Sequence, residues 1–267
     1  MVSFRSVGLA LLASQPLGAN AYMDDTGGDG KRSCDDLIVT IHNQTDIDFY
    51  ETCTTLSDYI VSPDHSWEGP FVLPKVQSVP QLAVGYLLPK IKGDDRVDDL
   101  VTSVSMPDLK NITGKGLLFG YLDQFENFSM PKLEFSQGGI AISGNYKLRN
   151  VSFPALTDAP GGIYLDGHFD SIDLPALRST GFMKIQSLGT NISCPGLAAQ
   201  FASVNFTNNM TDSLSGFICW TPQENNTWDS HDPTGKGGLG KDKKSSASML
   251  VYGYHSLAMV ALSLVLL

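Results

Sequence analysis

Between residues 100 and 200 short apolar strings recur at a nearly constant distance, separated by polar residues. A phrase of the form apolar-x-x-apolar-x-apolar-Pro-x-Leu is filled by Phe125, Phe128, Met130 and Leu133, then by Leu148, Val151, Phe153 and Leu156, then by Phe169, Ile172, Leu174 and Leu177. Two more copies carry one extra residue: Leu100, Val104, Met106 and Leu109, and Leu188, Ile192, Cys194 and Leu197. Their prolines, Pro107, Pro131, Pro154, Pro175 and Pro195, are spaced 24, 23, 21 and 20 residues apart. Such a period marks units that stack and share one core. Within each copy the alternating pair, Val151 and Phe153 for example, points inward from a short strand. The proline then ends that strand, because it cannot donate to a ladder.

Each unit carries a second apolar run, at 117–122, 139–144, 162–167 and 182–187. Ile140 with Ile142, and Ile163 with Leu165, alternate as strand residues do. Bracketing glycines supply sharp turns, and no unit has room for a long helix. The pattern predicts a mainly β chain: a right-handed β-solenoid of about 20–24-residue coils, of leucine-rich-repeat type, with two short strands per coil. An ordinary β-sandwich does not space one motif so evenly. Upstream, 37–41 reads as a strand, and 45–53 as a short helix capped by Thr45 or Asp46. Residues 59–62 start another unit, and 71–76 and 82–91 are degenerate ones. Residues 93–99 form a charged loop in which Asp94, Asp95, Asp98 and Asp99 are solvated rather than set to hold calcium.

Composition changes this picture mainly at the ends. Arg5, the apolar stretch 7–13 and Ala19-Asn20-Ala21 form a secretion signal, so residues 1–21 are expected to be removed by cleavage after Ala21. Residues 249–267 are largely apolar and run to the last residue without a following charge, which suits a GPI-attachment propeptide at 246–267. Ser245 is the expected attachment residue; Ser246 and the glycines at 237–238 are alternatives, and a retained tail anchor is a competing reading. Between the signals lie a folded domain at 22–220 and a stalk at 221–245 rich in Asn, Gly, Asp and Lys. The net charge of −10 argues against nucleic acid as a partner. Eight sequons (Asn43, Asn111, Asn127, Asn150, Asn191, Asn205, Asn209 and Asn225) predict an N-glycosylated surface protein.

The four cysteines allow three disulfide connectivities. Cys34–Cys53 and Cys194–Cys219 are favoured, since each pair brackets one end of the array, where a unit lacks a neighbour. Asn127, Asn150 and Asn191 share one phase of the repeat, a slot that holds Ser103 and Ser171 elsewhere. Alternation along a strand places them on one solvent-facing side.

Candidate chemistry is sparse. A polysaccharide-cleaving β-helix needs paired carboxylates on one face. The best candidates are Asp166, Asp170 and Asp173 with His168 between them, yet neighbouring units offer Ser143 and Asn145, or Gln186 and Leu188, at the matching places. No G-x-S-x-G, H-E-x-x-H or phosphate loop occurs, and His42, His65, His168 and His231 are widely separated. The expectation is no catalytic residue, no metal site and no cofactor.

The stretch from Cys34 to Ile60, with Leu-Ile-Val-Thr-Ile, Asn-Gln-Thr-Asp-Ile-Asp and Cys53-Thr-Thr-Leu-Ser-Asp-Tyr-Ile, is similar to the N-terminal module of fungal GPI-anchored cell-wall organisation proteins, among them sporulation-specific wall proteins. Their repeats resemble receptor L-domains and carry the same apolar-x-Phe-Pro-x-Leu phrase; the resemblance spans roughly residues 34–220. It implies a non-enzymatic protein of the outer leaflet of the plasma membrane or of the cell wall, contributing to wall organisation and integrity. The implied partners are the membrane, through a GPI lipid, and wall polysaccharide or wall proteins. Lys243-Lys244 looks like the dibasic signal that favours retention at the membrane. The chain is shorter than typical members and lacks their long Ser/Thr-rich stretch. The alternatives are a ligand-binding receptor or adhesin and, behind it, a wall-polysaccharide enzyme of β-helix type.

Overall fold

The computed structural model describes residues 32–56, 59–86, 88–89, 100–208, 215–223 and 226–231. The signal peptide with its Ala21 cleavage site, the 93–99 loop, Asn209, Asn225, Ser245, Ser246 and the 246–267 propeptide lie outside them. The chain is mainly β, with one large, mostly parallel sheet and two small parallel ones. The first elements are β1 (Ile38–Ile41), α1 (Gln44–Tyr50), β2 (Ile60–Pro63), β3 (Glu68–Val72), β4 (Ser78–Gly85), β5 (Leu100–Ser105) and β6 (Asn111–Gly120). There follow β7 (Asn127–Ser129), β8 (Phe135–Ser136), β9 (Ile140–Asn145), β10 (Asn150–Ser152), β11 (Asp158–Ala159), β12 (Ile163–Gly167), β13 (Ser171–Asp173), β14 (Ser179–Thr180) and β15 (Phe182–Ser187). Then come α2 (Cys194–Gln200), β16 (Asn205–Phe206), β17 (Gly216–Trp220) and β18 (Thr227–Asp229).

The proline phrase forms the small sheets, β3-β5-β7 and β10-β13. Phe71 pairs with Val104 and Val104 with Phe128, so Phe-Val-Leu-Pro-Lys-Val at 71–76 is a further copy, with Phe71, Leu73 and Val76 fully buried. The second apolar runs form the large sheet. Val84, Phe119, Ile142, Leu165, Ile185 and Cys219 stand in one register row across β4, β6, β9, β12, β15 and β17, and all are buried. Both sets feed one apolar cluster. Phe128 joins them, with ring centroids 4.8 Å from Phe153 and 5.5 Å from Phe119. Each such side chain contributes about 1.5–3 kcal/mol by leaving water.

Four local expectations need correction. Each repeat between 125 and 187 has three strand segments rather than two: β8, β11 and β14 are two-residue strands paired with one another, too short for periodicity to reveal. The N-cap of α1 is Asn43, whose Oδ1 accepts from the N–H groups of Thr45 and Asp46 while Asp46 reaches back to the Asn43 N–H. The fifth copy of the phrase keeps its burial pattern at Ile192, Cys194 and Leu197 but folds as α2, with Ser193 as N-cap and Pro195 in the first turn. There proline opens a helix instead of closing a strand. The beginning of the expected stalk is folded: β18 pairs antiparallel with β17. Asn226 ties it down further, accepting from the Cys194 N–H at 2.8 Å and donating to the Ile192 carbonyl at 2.6 Å.

The disulfides are Cys34–Cys53 and Cys194–Cys219, with Cα–Cα distances of 5.7 and 5.5 Å. The first fastens the turn after α1 to the segment before β1, and the second fastens α2 to β17.

Candidate functional site

Along β9, β12 and β15 the side chains of Ile140 and Ile142, Ile163 and Leu165, and Met183 and Ile185 enter the core. Their neighbours in sequence therefore occupy the opposite face of the sheet. Register sets Tyr164 beside Lys184, and Ser143, Asp166 and Gln186 in one line. The Tyr164 hydroxyl donates to Gln186 Oε1 at 3.2 Å, and Lys184 Nζ stands 5.9 Å from the Tyr164 ring centroid. Ser143 Oγ donates to Asp166 Oδ2 at 3.4 Å. Burial pushes the Asp166 carboxyl above the usual carboxylate range, against the pull of the Ser143 hydrogen bond and of Lys184 and His168. Burial also lowers the Lys184 ammonium, partly offset by Asp166. The Tyr164 phenol is pushed up by burial, then by Asp166 and Tyr121. These groups form one desolvated polar patch.

A row of rings borders the patch where the strands end. Tyr86 follows Gly85 and Tyr121 follows Gly120, two glycines that pair across β4 and β6. Tyr146 follows Asn145 and His168 follows Gly167, which pair across β9 and β12; Leu188 follows Ser187, the partner of Gly167 on β15. His65 stacks on Tyr86 with centroids 4.6 Å apart and parallel planes, and Tyr146 meets His168 edge-on at 5.4 Å. Tyr146 is 54 % and Leu188 45 % exposed. Tyr121 has φ 54°, a left-handed backbone that a bulky side chain rarely adopts. Its ring covers Gly144, the extra residue of a bulge in β9; a methyl group at Gly144 would collide with it. Past the bulge, the buried Asn145 accepts from the Leu122 N–H at 2.9 Å and donates to the Phe119 carbonyl at 2.8 Å. On β15 the buried Ser187 serves its own corner in the same way, bonding Phe169 and Gly189.

Of the sequence candidates, only Asp166 and His168 share this face. Asp170 lies at the next corner, where it accepts from Asn191 Nδ2 at 3.1 Å, and Asp173 is on β13 in a small sheet. The three carboxylates do not form one constellation. The slot that carries three of the sequons faces outward but does not lie on a single sheet: Asn127 pairs with Ser103 and Asn150 with Ser171 in two different sheets, Asn191 lies before α2 outside any strand, and all three asparagines are exposed. Ser171 Oγ donates to Asn150 Oδ1 at 2.8 Å, an oxygen that stays an acceptor when a sugar is linked to the amide nitrogen. Asn43 and Asn205 are exposed as well, while Asn111 is half-buried at the start of β6.

Sequence reasoning missed one arrangement. Ser215 Oγ lies 2.7 Å from His231 Nε2, and His231 Nδ1 lies 2.9 Å from Asp229 Oδ1. The connectivity is that of a Ser-His-Asp triad. Its only sequence trace is Asp-x-His, with the serine upstream beside a strand start. Ser215 is 5 % exposed, and the adjoining turn is filled. Ser230 Oγ accepts from the Phe217 N–H at 3.0 Å, and a methyl group at Gly216 would strike Ser230. The three residues clasp β18 and its turn to the start of β17.

Among the described residues no group of three or more His, Cys, Asp or Glu side chains is placed to hold a metal, and no helix is long and apolar enough to cross a membrane. No family model, no curated protein and no solved structure matches the chain.

Proposed function

We propose that this chain is a non-enzymatic, GPI-anchored and N-glycosylated β-solenoid of the fungal cell surface, leucine-rich-repeat and receptor L-domain-like, that contributes to the organisation and integrity of the cell wall. The observation that carries the reading is the outward slot of the two small sheets, in which Ser103 pairs with Asn127 and Asn150 with Ser171, and Asn127, Asn150 and Ser171 are exposed. Sugars on that slot would form a hydrophilic cover over one side, leaving the opposite sheet for contact. Disulfides at both ends of the array agree with an oxidising, extracellular setting. The test is growth of a deletion strain on a chitin-binding dye, with and without osmotic support. Hypersensitivity rescued by osmolyte, and by an anchored but not a soluble copy, is the expected result. Normal growth under both conditions overturns the reading.

The exposed Tyr146 ring beyond β9, with the half-buried His168 against it, favours a second reading, a ligand-binding receptor or adhesin. It predicts normal wall integrity in the deletion strain together with lost attachment of cells to their ligand.

A further inference from the structure

We infer that the row Tyr86, Tyr121, Tyr146, His168 and Leu188, with the adjoining Asp166 and Gln186, binds a neutral polysaccharide chain laid across the strands. The inference rests on the surface-protein reading for the identity of the polymer and on geometry for the site.

The geometric case begins with the period. Parallel strands lie about 4.8 Å apart, so Tyr146, His168 and Leu188, which follow the paired Asn145, Gly167 and Ser187, offer one ring or apolar group at each step, and Tyr121 and Tyr86 continue the line on the other side of the Gly144 bulge. A repeating ligand uses such a surface fully; a compact small molecule would touch only two steps. The flat faces of tyrosine and histidine suit the apolar C–H faces of pyranose rings. The line just inside the row supplies what sugar hydroxyls need: a carboxyl at Asp166 and an amide at Gln186, in register on adjacent strands, with the buried Ser143 hydroxyl bonded to the carboxyl from behind.

The charge argues for a neutral polymer. The protein carries −10, which repels polyanions. Asp166 and Lys184, the charged side chains on β12 and β15 at the patch, are both held toward their uncharged forms by burial. Such groups recognise hydroxyls better than ions.

Two further observations single out this edge. No sequon falls on the row or on the strand ends that carry it, although others occupy the slot on the small sheets. Tyr121 is held in the left-handed region with its ring over Gly144, a conformation that costs on the order of 1–3 kcal/mol and is retained where the surroundings impose it. It extends the rings of β9 and β12 toward Tyr86.

The test uses the full chain, secreted with its glycans and solubilised from membranes, and two probes in separate calorimetric titrations: a β-linked glucose oligomer and a β-linked N-acetylglucosamine oligomer. At least one is expected to bind. Tyr146→Ala and His168→Ala should each weaken it about tenfold, the loss of one well-packed ring. Tyr146→Phe should retain binding, and Leu37→Ala, an exposed apolar residue elsewhere, should change nothing. Absence of binding by the parent chain, with its circular dichroism intact, overturns the inference, as does unchanged binding by both alanine variants. The wall reading fails separately: a deletion strain with a normal wall removes it even where the oligomer binds, and a sensitive strain whose protein binds neither oligomer preserves it.

Discussion

Asn145→Ala removes a side chain that does the work of two backbone partners. The bulge at Gly144 shifts the register of β9 against β12, and the ladder beside β6 ends at Ser143. The carboxamide of Asn145 closes the gap, accepting from the Leu122 N–H and donating to the Phe119 carbonyl, and it is fully buried. Alanine leaves a donor and an acceptor without these partners in a region lined by Phe119, Leu122 and Phe125. Each buried unsatisfied group costs about 1–3 kcal/mol, so the pair costs roughly 2–6 kcal/mol. For a domain of this size the midpoint of thermal unfolding moves about 2–4 °C per kcal/mol, a drop on the order of 10 °C. The assay is urea and thermal unfolding of the purified protein by circular dichroism, with the adjacent and exposed Tyr146→Ala as control. A loss below about 1 kcal/mol for Asn145→Ala would show that water or a backbone shift replaces the amide, and would refute the reasoning.

Gly144→Ala drives a methyl group into the Tyr121 ring at a residue with φ 71°, and should cost roughly 1–3 kcal/mol in the same unfolding assay; the double variant with Tyr121→Ala should recover part of it. Replacing Cys194 and Cys219 together by serine opens a loop of sequence separation 25 and should cost about 3 kcal/mol, read from the urea midpoint under non-reducing conditions. Asp166→Asn tests the buried carboxyl: its folded value lies above the unfolded one, so its contribution to stability is fully present below the ordinary carboxylate range and lost as pH rises through the folded value. The variant should be more stable than the parent at neutral pH but not in acid, and parallel stability–pH profiles would contradict this. If Ser215, His231 and Asp229 are a clasp, a fluorophosphonate probe leaves the parent protein unlabelled and Ser215→Ala costs about 1 kcal/mol; labelling that disappears in Ser215→Ala would show a reactive nucleophile instead.

The sheets were legible because their residues repeat. Val151 and Ile172, or Ile142 and Leu165, stand one period apart in the chain and pair in the structure. The disulfide partners followed from their positions at the array's ends. Features without a period were not legible. The two-residue strands such as Asp158–Ala159 are held by pairing with their neighbours, so their own residues carry no alternation. Burial of Ile192, Cys194 and Leu197 satisfies a strand and a short helix equally, and Ser193 before Pro195 decides for the helix by capping it. Thr227–Asp229 looked like stalk because its composition is polar, yet the hydrogen bonds of Asn226 and the partly buried Trp228 draw it onto β17. The ring row escaped notice because each member lies just beyond a strand, and the Gly144 bulge puts Tyr146 one residue out of step with Tyr121.

That bulge bears on how one chain keeps two different surfaces. Strand alternation alone makes the outer side of every strand a mixture of whatever polar residues are tolerated. On the small sheets this tolerance suffices, since Asn and Ser stand opposite one another in a slot that faces away from the core. The large sheet is different, because its outer line is constrained: Tyr164 is buried although it faces away from the core, and Ser143 contacts Asp166 across strands. Keeping polar groups in a desolvated setting costs free energy unless they bond one another. Strained Tyr121 and the bulge add to that cost. A solvated, sugar-covered surface needs none of these devices. Their concentration at one edge of the large sheet is the physical reason to look for contact there and for shielding on the small sheets.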